Sequence, residues 1–121
     1  MPGHAANTDP HRETYDMLGT GIRLALHPNE PGRILAFVDL ADYLADGQAD
    51  AWPLLERTYL TLIATANDRL LPFAWRVACL DYAYRPYRAL HRLPATPASQ
   101  ERLRRLGYRL ATVDIFESKH D

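Results

Sequence analysis

The sequence predicts an all-α fold, an irregular bundle of four to five short helices. Apolar residues recur at helical spacing in four or five segments of the 121-residue chain, and capping residues, prolines or glycines bound most of these segments. Hydrophobic residues make up 47% of the chain and its net charge is −1, a balance that allows a buried core without metal or disulfide support. We expect a flexible N-terminal tail over residues 1–8 and a single helical domain over residues 9–121.

The first two helices are predicted within the first 47 residues. Asp9 and Pro10 have the N-cap and first-position proline of a helix start, and apolar residues continue at helical spacing to Leu26. A proline- and glycine-containing loop follows over residues 27–32. The second helix has an apolar side and an opposite side that carries three carboxylates, which we interpret as a solvated acidic face: Asp39, Asp42 and Asp46.

The third and fourth helices supply most of the predicted core. Asp50 is expected to cap the third helix, whose buried stripe runs from Trp52 to Ala66 and whose opposite side includes Arg57, Thr58, Thr61 and Thr65. The fourth helix is apolar around nearly its whole circumference from about Leu71 to Tyr84, a pattern typical of a central, buried helix. Pro86 removes a backbone donor, so we expect a kink or a break there.

The C-terminal part contains one further helix and an ambiguous segment. Thr96 and Pro97 predict a capped helix start, and Gly107 is a candidate helix end. Residues 108–117 fit either a helix or a single strand, because their apolar residues match both periods. A lone strand would have no obvious partner within this chain, so helix is favoured, although a strand could pair with another subunit.

The charge of the chain is divided between its two halves. Residues 1–68 carry ten Asp and Glu against four Arg, whereas residues 69–121 carry five Asp and Glu against nine Arg and one Lys. In the basic half, Asp81 is expected to form an ion pair with Arg85 one turn later. Arginines and tyrosines dominate the energetics of many interfaces, and the predicted partner-binding residues are of these two types: Tyr84, Arg85, Tyr87, Arg88, Arg92, Arg102, Arg104 and Arg105.

Several functional classes find no support in the sequence. The five histidines and the single cysteine form no paired metal motif, and the chain contains neither a G-x-S-x-G nucleophile elbow nor a phosphate-binding P-loop. We therefore expect no metal, no cofactor, no catalytic residue and no enzyme activity. Cys79 lies in an apolar stretch and is interpreted as a buried, inert thiol. No signal sequence or membrane span is present, which predicts a cytoplasmic protein.

Two functions remain open at this point. The first is a small interaction module (an adaptor, chaperone, immunity or regulatory subunit) that binds another protein or a second copy of itself through the Arg/Tyr residues. The alternative is a nucleic-acid-binding regulator, because residues 97–108 have the short, capped, arginine-rich form of a recognition helix. The slightly acidic chain disfavours the alternative, since nucleic-acid-binding domains are usually basic. Thirteen Arg against one Lys indicates a GC-rich, bacterial-like composition.

Overall fold

Five helices make up the regular structure of residues 9–115, the part of the chain that the computed structural model describes. They are α1 (Pro10–Arg23), α2 (Gly32–Asp46), α3 (Trp52–Ala66), α4 (Phe73–His91) and α5 (Pro97–Ala111). No strand occurs between residues 9 and 115. The predicted all-α bundle is confirmed, while the predicted tail over residues 1–8 lies outside the described residues.

The most completely buried helix is α3, whereas the sequence pattern had favoured α4. Helix α3 packs along α4 on one side and contacts both α1 and α2 on the others. In α4, by contrast, apolar residues such as Val77 and Leu80 are only half-buried. The apolar circumference of α4 therefore overstated its burial, because part of it lies at the surface between neighbouring helices. The residues of α3 that are buried are Leu54, Leu55, Thr58, Tyr59, Leu62, Ile63, Thr65 and Ala66.

Two threonines predicted on the outer side of α3 lie in the core. Thr58 and Thr65 are fully buried, and each hydroxyl donates to a carbonyl four residues earlier in its own helix, at 2.8 Å and 2.7 Å. The Tyr15 hydroxyl lies 2.6 Å from the Thr58 hydroxyl. Since the Thr58 proton is used within α3, Tyr15 donates in this pair. The buried hydroxyls are therefore satisfied, which removes the cost that would have kept them at the surface.

Helix α4 continues through Pro86, so of the kink or break expected there, the break does not occur. The helix runs for 19 residues from Phe73 to His91 with the proline in its interior. Pro86 is fully buried, and α4 makes its most extensive packing along α3. Tertiary packing on both sides of the proline holds the helix together despite the lost hydrogen bond.

Helix α5 begins as predicted, and the helix favoured for residues 108–117 is formed only as far as Ala111; residues 116 and 117 lie outside the described residues. Thr96 caps it in a reciprocal arrangement with Ser99, and the helix passes Gly107 to end at Ala111. Residues 113–115 are neither helix nor strand. They are held by side chains from elsewhere, because Asn67 accepts from the Asp114 backbone nitrogen at 3.1 Å and Arg76 donates to the Asp114 carbonyl at 2.9 Å.

Candidate functional site

Arg85 connects α4 to α2 instead of pairing within its own helix. Its guanidinium lies 2.8 Å from the Asp39 carboxylate and also donates to Asp42. Partial burial opposes the charged form, but these two hydrogen bonds raise the pKa of Arg85 above its ordinary value. The ion pair expected between Asp81 and Arg85 does not form, because the Arg85 guanidinium instead binds the two carboxylates of α2. The acidic face of α2 is therefore partly neutralised within the bundle.

Three of the predicted residues lie on one exposed strip of α4, which we take to include Arg92, the C-cap residue directly after His91. Tyr84, Arg88 and Arg92 are all exposed. The Arg88 guanidinium lies over the Tyr84 ring, 6.0 Å from its centroid. Within residues 9–115, neither Arg88 nor Arg92 forms an ion pair, so both cations face solvent.

Tyr87 faces α5 and belongs to an aromatic stack that leads from the core to the surface. Its ring stacks on Tyr59 with centroids 5.5 Å apart, and it meets His91 edge-on at 4.7 Å. Tyr59 is fully buried, and its hydroxyl donates to the Leu106 carbonyl of α5. Burial is the main cause that raises the pKa of Tyr59 above its ordinary value. Tyr87 therefore packs between helices and is only partly available at the surface.

The three predicted arginines of α5 differ in how firmly they are held. Arg102 forms two hydrogen bonds with Glu56 of α3, at 2.7 Å and 2.6 Å, and this carboxylate raises the pKa of Arg102. Arg104 and Arg105 share Glu101 on their own helix, at 2.6 Å and 3.8 Å. Their side chains are 71% and 66% exposed, so solvent screens these pairs and leaves the two arginines available to a partner.

Depressions surround α5 on three sides. One of about 560 Å³ lies between α3 and α5, one of about 810 Å³ lies beside the α5 N-terminus, and one of about 380 Å³ lies against the end of α4. Arg102 and Arg105 line the first two, and Arg104 lines the first and third. Arginines of α5 therefore line each of these three depressions.

We give the name basic face to the exposed arginines of the α4 strip and of α5 that no carboxylate of another helix binds within residues 9–115, together with two exposed tyrosines. Two members, Tyr108 and Arg109, are not among the residues predicted from the sequence, because they follow Gly107, the candidate helix end. Their signal was present in the sequence, since they follow Arg104 and Arg105 at a spacing of four residues. Tyr108 is 71% exposed. The basic face comprises Tyr84, Arg88, Arg92, Arg104, Arg105, Tyr108 and Arg109.

A second surface feature was also missed from the sequence. A groove of about 600 Å³ follows the outer side of α1 and contains the exposed side chains of Met17 and Leu26. Gly21 lies in the groove, and a Cβ added to it would meet nothing within 4 Å. A glycine in the last turn of an amphipathic helix was the available sequence feature. The groove is apolar, and its rim includes both Asp16 and Arg33.

Other chemistry receives no support from the described residues. Among residues 9–115, no cluster of three or more His, Cys, Asp or Glu side chains could hold a metal ion. Cys79 is fully buried, and burial raises the pKa of its thiol to about 12. No helix in this part of the chain is long and apolar enough to cross a membrane.

Comparisons with known proteins assign neither a family nor a function to the chain. The chain matches no protein-family model, and no characterised protein or solved structure is significantly similar to it. The function must therefore be argued from the basic face itself.

Proposed function

We propose that this protein is a small interaction module that binds an acidic segment of a partner protein through the basic face. The observation that carries the proposal is that the exposed arginines of α4 and α5 outnumber the carboxylates that pair with them. Within residues 9–115, Glu101 is the one carboxylate that forms ion pairs on the basic face, and it pairs with only two of the five arginines, Arg104 and Arg105. A partner that supplies carboxylates would meet guanidinium groups already at the surface, at little cost in desolvation.

The exposed tyrosines support a protein partner. Tyr84 and Tyr108 are 43% and 71% exposed and stand among the arginines. Tyrosine and arginine are enriched at the energetically dominant positions of protein interfaces, because both combine a large apolar body with polar groups. In contrast, the arginines of the acidic half, such as Arg33 and Arg57, have carboxylate partners at 2.8 Å and 3.1 Å.

Two matched triple variants test the proposal. Arg88→Ala/Arg105→Ala/Arg109→Ala removes three cations from the basic face, and Arg12→Ala/Arg33→Ala/Arg57→Ala removes three from the acidic half. Both change the net charge equally. In quantitative pull-downs from native cell extract, with crosslinking to locate the contact, the first variant should lose the specific partner and the second should retain it. Equal retention by both variants would contradict the proposal.

Nucleic acid is the second candidate, because the same five arginines could contact phosphates and the tyrosines could stack on bases. The five-residue connection from α4 to α5 and the net charge of −1 disfavour it. Titration of mixed-sequence DNA and RNA at several salt concentrations separates the candidates. Nucleic-acid binding would show a steep negative salt slope that flattens in the basic-face variant, and binding that survives nuclease treatment of the extract would favour the protein partner.

A further inference from the structure

The depression between the end of α4 and the start of α5 differs from the other recesses around α5 in its chemistry. It has a volume of about 380 Å³, and none of its lining residues is acidic. The neighbouring α3–α5 groove, by comparison, includes both Glu56 and Glu101. The residues that line the depression are Tyr87, His91, Ala95, Gln100, Leu103 and Arg104.

The polar groups of this depression are available to a ligand. Within residues 9–115, the side chains of His91 and Gln100 accept or donate no hydrogen bond, although His91 packs edge-on against Tyr87. Arg104 pairs with Glu101 one turn back on its own helix, at an exposed position where such pairs contribute little. An amide, an imidazole and a guanidinium can each donate hydrogen bonds, so the combination suits an anion.

The wall of the depression is rigidly built. Tyr87 is held between the buried ring of Tyr59 and the ring of His91. Tyr59 is in turn anchored to the Leu106 carbonyl. Gly107 makes room for the Tyr87 hydroxyl, since a Cβ there would lie 2.5 Å from that oxygen. The aromatic wall is therefore fixed before any ligand arrives, which lowers the entropic cost of binding.

We propose that this depression binds a phosphate monoester, with Arg104, His91 and Gln100 as donors and Tyr87 as the wall. Three donors from two helices fit the several oxygens of a phosphate better than the two of a carboxylate. Arg88 and Arg92, on the adjacent exposed strip of α4, add positive potential that favours a dianion. The inference rests on the proposed function, because it makes a phosphorylated side chain the anchor of the acidic partner on the basic face.

The test is an NMR titration of the full chain with three probes: inorganic phosphate, phenyl phosphate and phenylacetate. We expect saturable shifts of the His91, Gln100 and Arg104 amides with both phosphates, tighter binding of phenyl phosphate, and weak binding of phenylacetate. Arg104→Ala should weaken phenyl phosphate binding at least about tenfold, as for loss of a charge-assisted hydrogen bond. Arg33→Ala is the matched control, because Arg33 pairs with Glu30 at the same three-residue spacing as Arg104 with Glu101 but neither lines the depression nor belongs to the basic face. It should change the affinity less than about threefold.

The outcomes separate this inference from the proposed function. Equal losses in the two variants, or shifts spread over all arginines, would overturn the inference and indicate general electrostatic attraction. Binding of phenylacetate as tight as that of phenyl phosphate would also overturn it and make the site one for carboxylates. If the Arg88/Arg105/Arg109 variant still loses its protein partner while no phosphate binds, the proposed function stands alone. If phosphate binds at the depression but no partner depends on the basic face, the site is one for a free phosphate ester.

Discussion

Helices α3 and α5 have the same length, 15 residues, yet the bundle uses them in opposite ways. Eight residues of α3 are buried, whereas in α5 Leu103 and Leu106 alone are buried. Helix α3 contacts α1, α2 and α4, while α5 rests on the edge formed by α3 and α4. The comparison teaches that α3 carries most of the buried contacts while α5 presents most of its side chains to solvent, so changes on the outer side of α5 should have little effect on the core.

The contacts that hold α5 are few and specific. Two leucines supply its apolar anchor, the Tyr59 hydroxyl donates to Leu106, and Arg102 pairs with Glu56. Burial of apolar area is the largest stabilising term, and α5 buries less of it than α3. Local opening of α5 therefore gives up less stabilising free energy. We therefore expect α5 to open at a lower free energy than the α3–α4 pair.

The largest expected effect is the loss of unfolding free energy when a buried leucine is truncated in α3, compared with the same change in α5. Leu62→Ala removes a fully buried side chain from α3 and should cost about 2–5 kcal/mol of unfolding free energy. Leu103→Ala in α5, where the leucine is 9% exposed, should cost less because solvent-facing α5 can move into the space. Urea denaturation monitored by circular dichroism measures both. Equal costs would show that α5 belongs to the same packing unit as α3.

The second expected effect is on the reactivity of Cys79 in α4. Its thiol is fully buried, so labelling of the native protein at pH 8 should be at least about a hundredfold slower than labelling of the unfolded chain, equivalent to an opening free energy of about 2.7 kcal/mol. The pKa of this thiol is raised from 9.0 to about 12. The folded state therefore keeps a proton that the unfolded state loses, and this contribution to stability, complete below pH 9, falls as the pH rises toward 12.

A thiol that reacts at the rate of the unfolded control would place Cys79 at the surface. That result would contradict the packing of α4 on α3. Labelling of a cysteine introduced at Arg105, an exposed position on α5, provides the reference for an unprotected site in the Cys79→Ala background.

The third effect concerns two helical glycines with opposite surroundings. An added Cβ at Gly107 of α5 would lie 2.5 Å from the Tyr87 hydroxyl oxygen, whereas one at Gly21 of α1 would meet nothing within 4 Å. Gly107→Ala should therefore destabilise the protein by about 1–3 kcal/mol through overpacking. Gly21→Ala should stabilise it by about 0.5–1 kcal/mol, because alanine favours the helix.

A double variant identifies the cause at Gly107. Without the Tyr87 hydroxyl, the nearest ring atom to the new Cβ is the Tyr87 Cζ, at 3.5 Å, which is an ordinary contact. Tyr87→Phe should therefore recover most of the stability lost in Gly107→Ala. Thermal melts of the single and double variants form the cycle. If the double variant is no more stable than Gly107→Ala, the hydroxyl is not the obstacle.

The elements of the fold could be predicted from the sequence, but several of their contacts could not. Caps and apolar periods located all five helices, including the start at Thr96. Periodicity cannot show that a proline lies within a packed helix, so the sequence predicts a kink or a break at Pro86 although the helix continues through it. Nor can it show that the Thr58 hydroxyl finds an acceptor inside the core. Such outcomes depend on what packs against each residue, which local sequence does not specify.

In the candidate site, too, the sequence predicts which residue types are present but not which partner each arginine contacts. All eight residues predicted for the interaction surface have the chemistry of interface residues, and the structure separates them by their partners. Arg85 and Arg102 are held by carboxylates of α2 and α3, whereas Arg88 and Arg92 are exposed. Equal spacing along α4 could not distinguish Arg85 from Arg88, because the difference lies in the aspartates of another helix.

The smallest expected effect tests the difference between an ion-paired arginine, Arg85, and an exposed one, Arg88. Arg85→Ala removes the pairs with Asp39 and Asp42 and should cost up to about 1 kcal/mol, since the side chain is 36% exposed and solvent screens both pairs. Arg88→Ala should stay within about 0.5 kcal/mol, because Arg88 forms no ion pair within residues 9–115 and lies over an exposed tyrosine. The comparison is made by urea denaturation at low salt and again at about 1 M NaCl, where the Debye length falls to about 3 Å. The difference between the variants should shrink at high salt if it arises from the ion pairs. A cost for Arg88→Ala as large as that for Arg85→Ala would mean that the exposed strip of α4 stabilises the fold, and the basic face could not then be altered without weakening the bundle beneath it.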